Sequence, residues 1–322
     1  MNQHAFDSRF AGWTRRPAAL LLLGLVAAIF WGLYASINQI TLPEASISQV
    51  TRPAVPADQG EVPQDSDFFR NVVERVHAGE GYYDAQEHVF AEFHYPVSSV
   101  LNFRTPTYAW VIAVFPNARW GQSLIAAISL VVVVLAYSTI RSRAGIVRAL
   151  VCSALLTGCL AWCVKGDTFF YTEVWAGALI ALSALAYGVG QRALGAVAGL
   201  AALFFRELAL PYCIVSLLLA GWERNRRESL FWIIGLAVYG VFMIWHVLQV
   251  IPRIPSTGEA FGFQNRLHFG GMPFVLGTCR MNLFLTVAPA WVSAFYLSLS
   301  LLGLASWQMT APWGVMKDES RA

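Results

Sequence analysis

Charge is scarce in this chain. Asp, Glu, Lys and Arg together make up 13% of its 322 residues, against about 25% in soluble globular domains, which excludes an ordinary water-facing surface. Cysteine is scarce too. The five present, Cys152, Cys159, Cys163, Cys213 and Cys279, sit in or beside apolar runs, so the loop-borne disulfide framework of a small secreted domain is excluded. Cys159 and Cys163 share a helix face, where buried small hydrophobes are the simpler reading than a metal pair. An internal repeat and a separate soluble domain are both missing. The net charge of +3 is small and dispersed, which excludes the basic face of a nucleic-acid-binding protein.

What fills the chain is apolar. Hydrophobic residues reach 57% and the mean hydropathy is +0.54, the profile of an all-α, multi-pass integral membrane protein built as one domain over residues 1–322. The apolar runs predict a helical bundle of about eight membrane segments. The first, about Pro17 to Ile37, follows Arg9, Arg15 and Arg16 and reads as a retained span with a cytoplasmic N-terminus, since no small-residue cleavage site is evident. A short run from Pro106 to Phe115 is expected to dip into the membrane without crossing. Spans of about Arg119 to Tyr137, Val147 to Val164 and Phe170 to Gly188 follow, then one of about Leu230 to Val250 and a last one ending near Ser306. Two short arginine clusters, at Arg141, Arg143 and Arg148 and at Arg224, Arg226 and Arg227, orient the chain with those turns in the cytoplasm.

The run from Arg192 to Trp222 does not fit a single span. As one helix it would be ~45 Å long, longer than the hydrocarbon core, with Arg206 and Glu207 at its middle. Two shorter helices meeting near Arg206-Glu207 at outer depth are expected instead, with Pro211 starting the second.

Between the first two apolar runs lies a long outer loop, about residues 38–104, that holds ten of the nineteen acids. Within it Phe68, Val72 and Val76, flanked by Phe69 and Val73, recur at helical spacing, while Arg70, Asn71, Glu74 and Arg75 fill the other face. The spacing predicts a short amphipathic helix on the bilayer surface, opened by Asp65 and Asp67 and ended by Gly79 and Gly81. A second outer loop is expected over about 251–273.

An acidic residue opening an amphipathic helix in the first outer loop, followed by glycines and the pair Tyr82-Tyr83, resembles the GT-C glycosyltransferases. That group includes protein O-mannosyltransferases and the aminoarabinose transferases of lipid A. Phe103-Arg104-Thr105-Pro106-Thr107-Tyr108, Tyr171-Thr172-Glu173 and Phe205-Arg206-Glu207 follow in matching order, and the resemblance covers about residues 18 to 270. It implies transfer of a sugar from a polyprenyl-phosphate donor to a glycan, lipid or protein acceptor at the outer face of the plasma (inner) membrane. Asp67, with Asp65 beside it, is then the expected catalytic base. Arg104, Glu173, Arg206, Glu207, Arg266, His268 and Tyr83 are the expected donor phosphate and sugar contacts. No cofactor is expected; a divalent cation at Asp65 and Asp67 is the weaker option.

Each residue also has a plainer role. Asp65 or Asp67 would cap the helix, Arg104 would anchor at the interface, and Arg206 would neutralise Glu173. His94 and His268 lack ligand spacing. Two other functions fit the same residues. A transporter of a polar or anionic substrate would also bury charge at a broken helix, and a non-catalytic lipid-binding or assembly subunit of a cell-envelope polysaccharide system would share the architecture.

Overall fold

The computed structural model describes residues 65–95, 97, 99–254, 282–286 and 292, with only the backbone of Asp65, Leu101 and Thr286. The chain divides into two compact units, Pro63–Arg266 and the combined Met1–Val62 and Leu267–Ala322. The second is described only around the single turn Leu283–Thr286, where the Asn282 side chain accepts from the Phe284 amide at 3.0 Å. The expected first and last spans, most of the second outer loop, and Arg266, His268 and Cys279 lie outside the described residues.

In the unit Pro63–Arg266 the described elements are all helical. They are α1 (Asp65–His77), α2 (Tyr82–Glu92), α3 (Thr107–Ala113), α4 (Ala118–Ala144), α5 (Ile146–Leu160), α6 (Thr172–Gly188), α7 (Arg192–Phe205), α8 (Leu210–Trp222) and α9 (Arg226–Val250). Three stretches among them are long and apolar enough to cross a membrane: Ala118–Ala144, Ile146–Cys163 and Arg226–Arg253. Helices α6, α7 and α8 are apolar but hold 17, 14 and 13 residues, or ~20–25 Å at 1.5 Å per residue, short of ~30 Å of hydrocarbon. The described residues therefore account for three full-length spans of the expected eight.

Local chemistry sets the helix ends. Asn117 opens α4 by accepting the Arg119 amide at 2.8 Å, and Arg141 and Arg143 lie in its last turn, where cations suit the negative end of the helix dipole. Gly145, at φ +86°, then reverses the chain into α5. Asn225 opens α9 in the same way by accepting from the Glu228 amide. The anticipated break between α7 and α8 is present. Arg206 leaves the helix with φ −149° and ψ 121°, a single turn Glu207–Ala209 follows, and Pro211 sits in the first turn of α8.

Helix α1 forms where the periodicity put it, but its apolar face is covered by protein. Phe68, Phe69, Val72 and Val73 are all buried, with Phe68 against Phe90 of α2 and Phe69 edge-on to Tyr108 of α3. Burying each such side chain is worth roughly 1.5–3 kcal/mol, more than any cap or surface ion pair could hold against. Gly79, at φ +95°, ends α1, whereas Gly81 opens a second helix, α2, at the aromatic pair, a helix that the loop reading did not include. Cys163 is buried and Cys159 exposed, so the shared face does not bring them together as one buried pair.

Helices α6, α7 and α9 approach closely through small residues. A Cβ added at Gly199 would lie 2.8 Å from Trp232, 3.0 Å from Tyr212 and 3.1 Å from Ser183. Around it Ser183 hydrogen-bonds the Gly195 carbonyl and the Tyr212 hydroxyl, and the Trp232 indole donates to Tyr187 at 3.2 Å. Close backbone approach with polar contacts is how apolar helices associate without a hydrophobic drive between them. Gly199→Ala is accordingly expected to cost ~1–3 kcal/mol through overpacking. The check is a lower unfolding temperature in detergent, with Gly177→Ala, where nothing lies within 4 Å, as the neutral control.

Candidate functional site

The charged residues at one end of the helices α4 to α9 form two neighbouring clusters. The first is built at the break after α7. Glu173 lies in the first turn of α6, where a carboxylate meets the positive end of the helix dipole. Arg206 reaches it from the break, Nη2 to Oε1 at 3.1 Å, and also lies beside Glu207 at 3.2 Å. Arg104 approaches the same Glu173 oxygen at 3.7 Å. Four of the residues expected at the site therefore meet in one cluster of two arginines and two glutamates.

Backbone contacts hold this cluster together. Leaving a helix at Arg206 strands the last carbonyls of α7. The Thr105 hydroxyl, buried, lies 3.0 Å from the Phe204 carbonyl and 3.2 Å from that of Phe205, and takes up this role. Tyr82 in turn donates to the Arg104 carbonyl at 2.7 Å. Burial drives the Tyr82 phenol well above its usual range, so it remains a neutral donor. The Phe103 to Tyr108 stretch is thus pinned between α2 and the break.

Arg206 itself is under-satisfied. Its side chain is 11% exposed, and Nε and Nη1 are shut from solvent without a hydrogen-bond acceptor. Glu207 is near Nη1 but out of line, so that pair supplies charge and not a directed bond. The Tyr239 hydroxyl of α9, whose ring packs on Phe204, is also buried without a partner. Buried donors left this way cost ~1–3 kcal/mol each. The lining of this cluster is therefore poised to accept an anion's oxygens.

The second cluster centres on Arg70 of α1. Its Nη2 lies 2.9 Å from Asp67 Oδ1 and 2.6 Å from Asp167 Oδ2, and Arg119 of α4 reaches the other Asp167 oxygen at 3.3 Å. Asp67 is therefore half-exposed and bonded through its side chain to a guanidinium. Its backbone carbonyl also accepts from Asn71 at 2.8 Å. The cation that two carboxylates share here is Arg70. Among the described residues no group of three or more His, Cys, Asp or Glu is gathered for a metal ion. Phe69 touches both Tyr108 and Tyr171, at 5.5 and 5.6 Å, so an aromatic wall joins the turn bearing Asp67 to the start of α6.

Tyr83 faces elsewhere. Its hydroxyl meets His246 Nδ1 at 2.8 Å, and Arg253 stacks over its ring at 5.6 Å. Arg253 also binds Asp84 at 2.5 Å and Glu87 at 3.2 Å, which ties α2 to the end of α9. His94 is exposed at φ +49°, an ordinary turn residue. Arg70, Arg119, Asp167 and Tyr239 carry the geometry of the two clusters and were not marked by sequence pattern. Asp167 in a three-residue polar turn was the one available signal.

Searches against family models, curated proteins and solved structures returned no match for this chain.

Proposed function

We propose that this protein is an integral membrane glycosyltransferase of the GT-C type, moving a sugar from a polyprenyl-phosphate donor to an acceptor hydroxyl at the end of the helices that carries Arg206 and Asp67. The observation that carries the proposal is Arg206, a guanidinium 11% exposed, with two buried nitrogens lacking acceptors among the described residues, beside a second arginine. That arrangement suits a phosphate, whose oxygens take paired N–H donors. The half-exposed carboxylate of Asp67 across the Phe69 wall supplies the proton acceptor such a reaction needs.

In the proposed step the acceptor oxygen attacks the anomeric carbon as the carbon–oxygen bond to phosphate breaks. Polyprenyl phosphate leaves with the electron pair, and the acceptor proton goes to Asp67. A single displacement inverts the sugar carbon, by analogy with inverting glycosidases. Arg206 and Arg104 hold the departing phosphate, while Glu173 and Glu207 fix the two guanidiniums before donor arrives. Tyr83 positions α2 without touching the sugar. The reading sets the site at the outer face of the plasma membrane, with the N-terminus and the Arg141 and Arg224 turns in the cytoplasm, as the positive-inside rule favours.

One observation favours a second reading. The apolar run of α7 and α8 is discontinuous, with a charged residue at the break, a form in which transporters build substrate sites. Purified protein in nanodiscs, given a polyprenyl-phosphate sugar and a membrane extract as acceptor source, separates the two. Sugar transferred with release of polyprenyl phosphate supports the transferase; flux across sealed vesicles with no bond broken replaces it with transport.

The orientation has its own check, in a background with all five cysteines changed to alanine. Ala91→Cys on α2 is expected to react with an impermeant thiol reagent on intact cells, and Ser142→Cys at the far end of α4 only after the membrane is opened. Both positions are exposed. Reversed labelling would remove the outer-face assignment.

A further inference from the structure

At the opposite end of α8 and α9 lies a feature that the transfer reaction does not use. The turn between them borders an open groove of about 580 Å³ lined by Gly221, Arg224, Arg226, Ser229, Leu230 and Ile233. We propose that this groove binds the phosphodiester headgroup of an anionic phospholipid.

Three observations carry the assignment. The guanidiniums of Arg224 and Arg226, and of Arg227 beside them, are exposed and have no carboxylate in ion-pair range among the described residues. The nearest acids, Glu223 and Glu228, are held by Arg192 at 2.6 and 2.9 Å. At the other end of these helices Arg206 and Arg253 are each matched by two carboxylates. Among the described residues the groove thus presents uncompensated positive charge.

The placing of Arg224 is the second. The Arg224 amide returns to the Gly221 carbonyl and the Asn225 amide to that of Ala220, both at 3.0 Å, the paired bonds of a Schellman helix end. Its pivot residue stands at φ +56°, where glycine is favoured. Here an arginine occupies it, at a conformational cost that a glycine would avoid, and lines the groove.

The third observation points to lipid over a dissolved anion. Leu230 and Ile233 are 56% and 52% exposed on α9, a helix apolar enough to span a membrane, and Trp222, 67% exposed, ends α8 as interface indoles do. A groove with guanidiniums at its mouth and aliphatic side chains running from it toward the hydrocarbon matches a headgroup and its acyl chains together. Juxtamembrane basic pockets recognise anionic lipids in this way. The assignment stands independently of the proposed sugar transfer.

The test is native mass spectrometry of the full-length protein in neutral detergent with dioctanoyl phosphatidylglycerol, dioctanoyl phosphatidylcholine or inorganic phosphate. Phosphatidylglycerol is expected to remain bound where phosphatidylcholine does not, and inorganic phosphate at the same concentration is not expected to displace it. Arg224→Gly is the informative variant, because it suits the φ +56° backbone. It should fold at least as stably as the parent yet lose on the order of tenfold in phosphatidylglycerol affinity, with a further loss on adding Arg226→Gln. Arg148→Gln, an exposed arginine outside the groove, should bind normally. Equal retention of both lipids, displacement by phosphate, full binding by Arg224→Gly with Arg226→Gln, or an equal loss in Arg148→Gln would each overturn the site.

Discussion

Asp67→Asn is expected to lower sugar transfer at least ~100-fold while leaving the amount of folded protein unchanged, the range that general-base catalysis contributes. Its surroundings make the test clean. Asparagine keeps the size of aspartate, and the Asn71 bond to the residue 67 carbonyl is a backbone contact that survives. The ion pair lost is between side chains 36% and 38% exposed, a class worth about 0–1 kcal/mol. Arg70 meanwhile keeps Asp167. Arg70→Gln separates the base from a mere ion partner. If Asp67 serves only to hold Arg70, Asp67→Asn should cost no more than Arg70→Gln, which also releases Asp167, and the double change no more than Arg70→Gln alone. If Asp67 takes the proton, its loss should far exceed that of Arg70→Gln. Activity retained in Asp67→Asn but lost in Asp65→Asn would move the role to Asp65.

Arg206→Gln is expected to weaken binding of the polyprenyl-phosphate donor roughly ten- to a hundred-fold, the ~1.5–3 kcal/mol of a lost charge-assisted contact. Arg206→Lys should recover part of this, since an ammonium restores the charge but not the planar pair of donors. The ion pair to Glu173 supplies the competing explanation. It holds Arg206 at 3.1 Å, and stranding one partner of such a pair is itself costly. The double change Arg206→Gln with Glu173→Gln decides between them. If neutralising Glu173 is all that Arg206 does, the double variant should regain what each single loses. Donor binding that stays low in the double variant, in nanodiscs with protein levels matched, marks the arginine as a phosphate ligand. Full recovery would withdraw that role and leave a structural ion pair.

The two experiments fail independently. Loss in Asp67→Asn with donor binding intact localises the defect to the chemical step. Loss of donor binding in Arg206→Gln localises it to recognition. Should neither variant change transfer, the reaction is carried by other residues.

The break after α7 was legible in the chain because it follows from length and charge alone. A 31-residue apolar run with Arg206-Glu207 at its centre cannot cross hydrocarbon of ~30 Å as one helix without burying both charges. Helix α1 was legible for a similar reason, since the 3.6-residue recurrence of Phe68, Val72 and Val76 is a local property. The start of α2 at Tyr82 was not, because Tyr82-Tyr83 after two glycines reads equally well as the end of a turn.

What covers an apolar face is not a local property. The stripe on α1 was read as facing lipid; tertiary packing puts Phe90 and Tyr108 against it, and a periodicity cannot tell one apolar partner from another. Charge pairing has the same limit. Glu173, Arg206 and Glu207 were marked by the cost of an ionisable group at membrane depth, a term that belongs to the single residue, and Arg104 by its place in the Phe103 to Tyr108 stretch. Which carboxylate meets which guanidinium depends on bringing together positions about a hundred residues apart, as Arg70 and Asp167 are. Only the folded chain set Arg70 between Asp67 and Asp167, placed Thr105 under the open end of α7, and left the guanidiniums of Arg224 and Arg226 without an acid among the described residues.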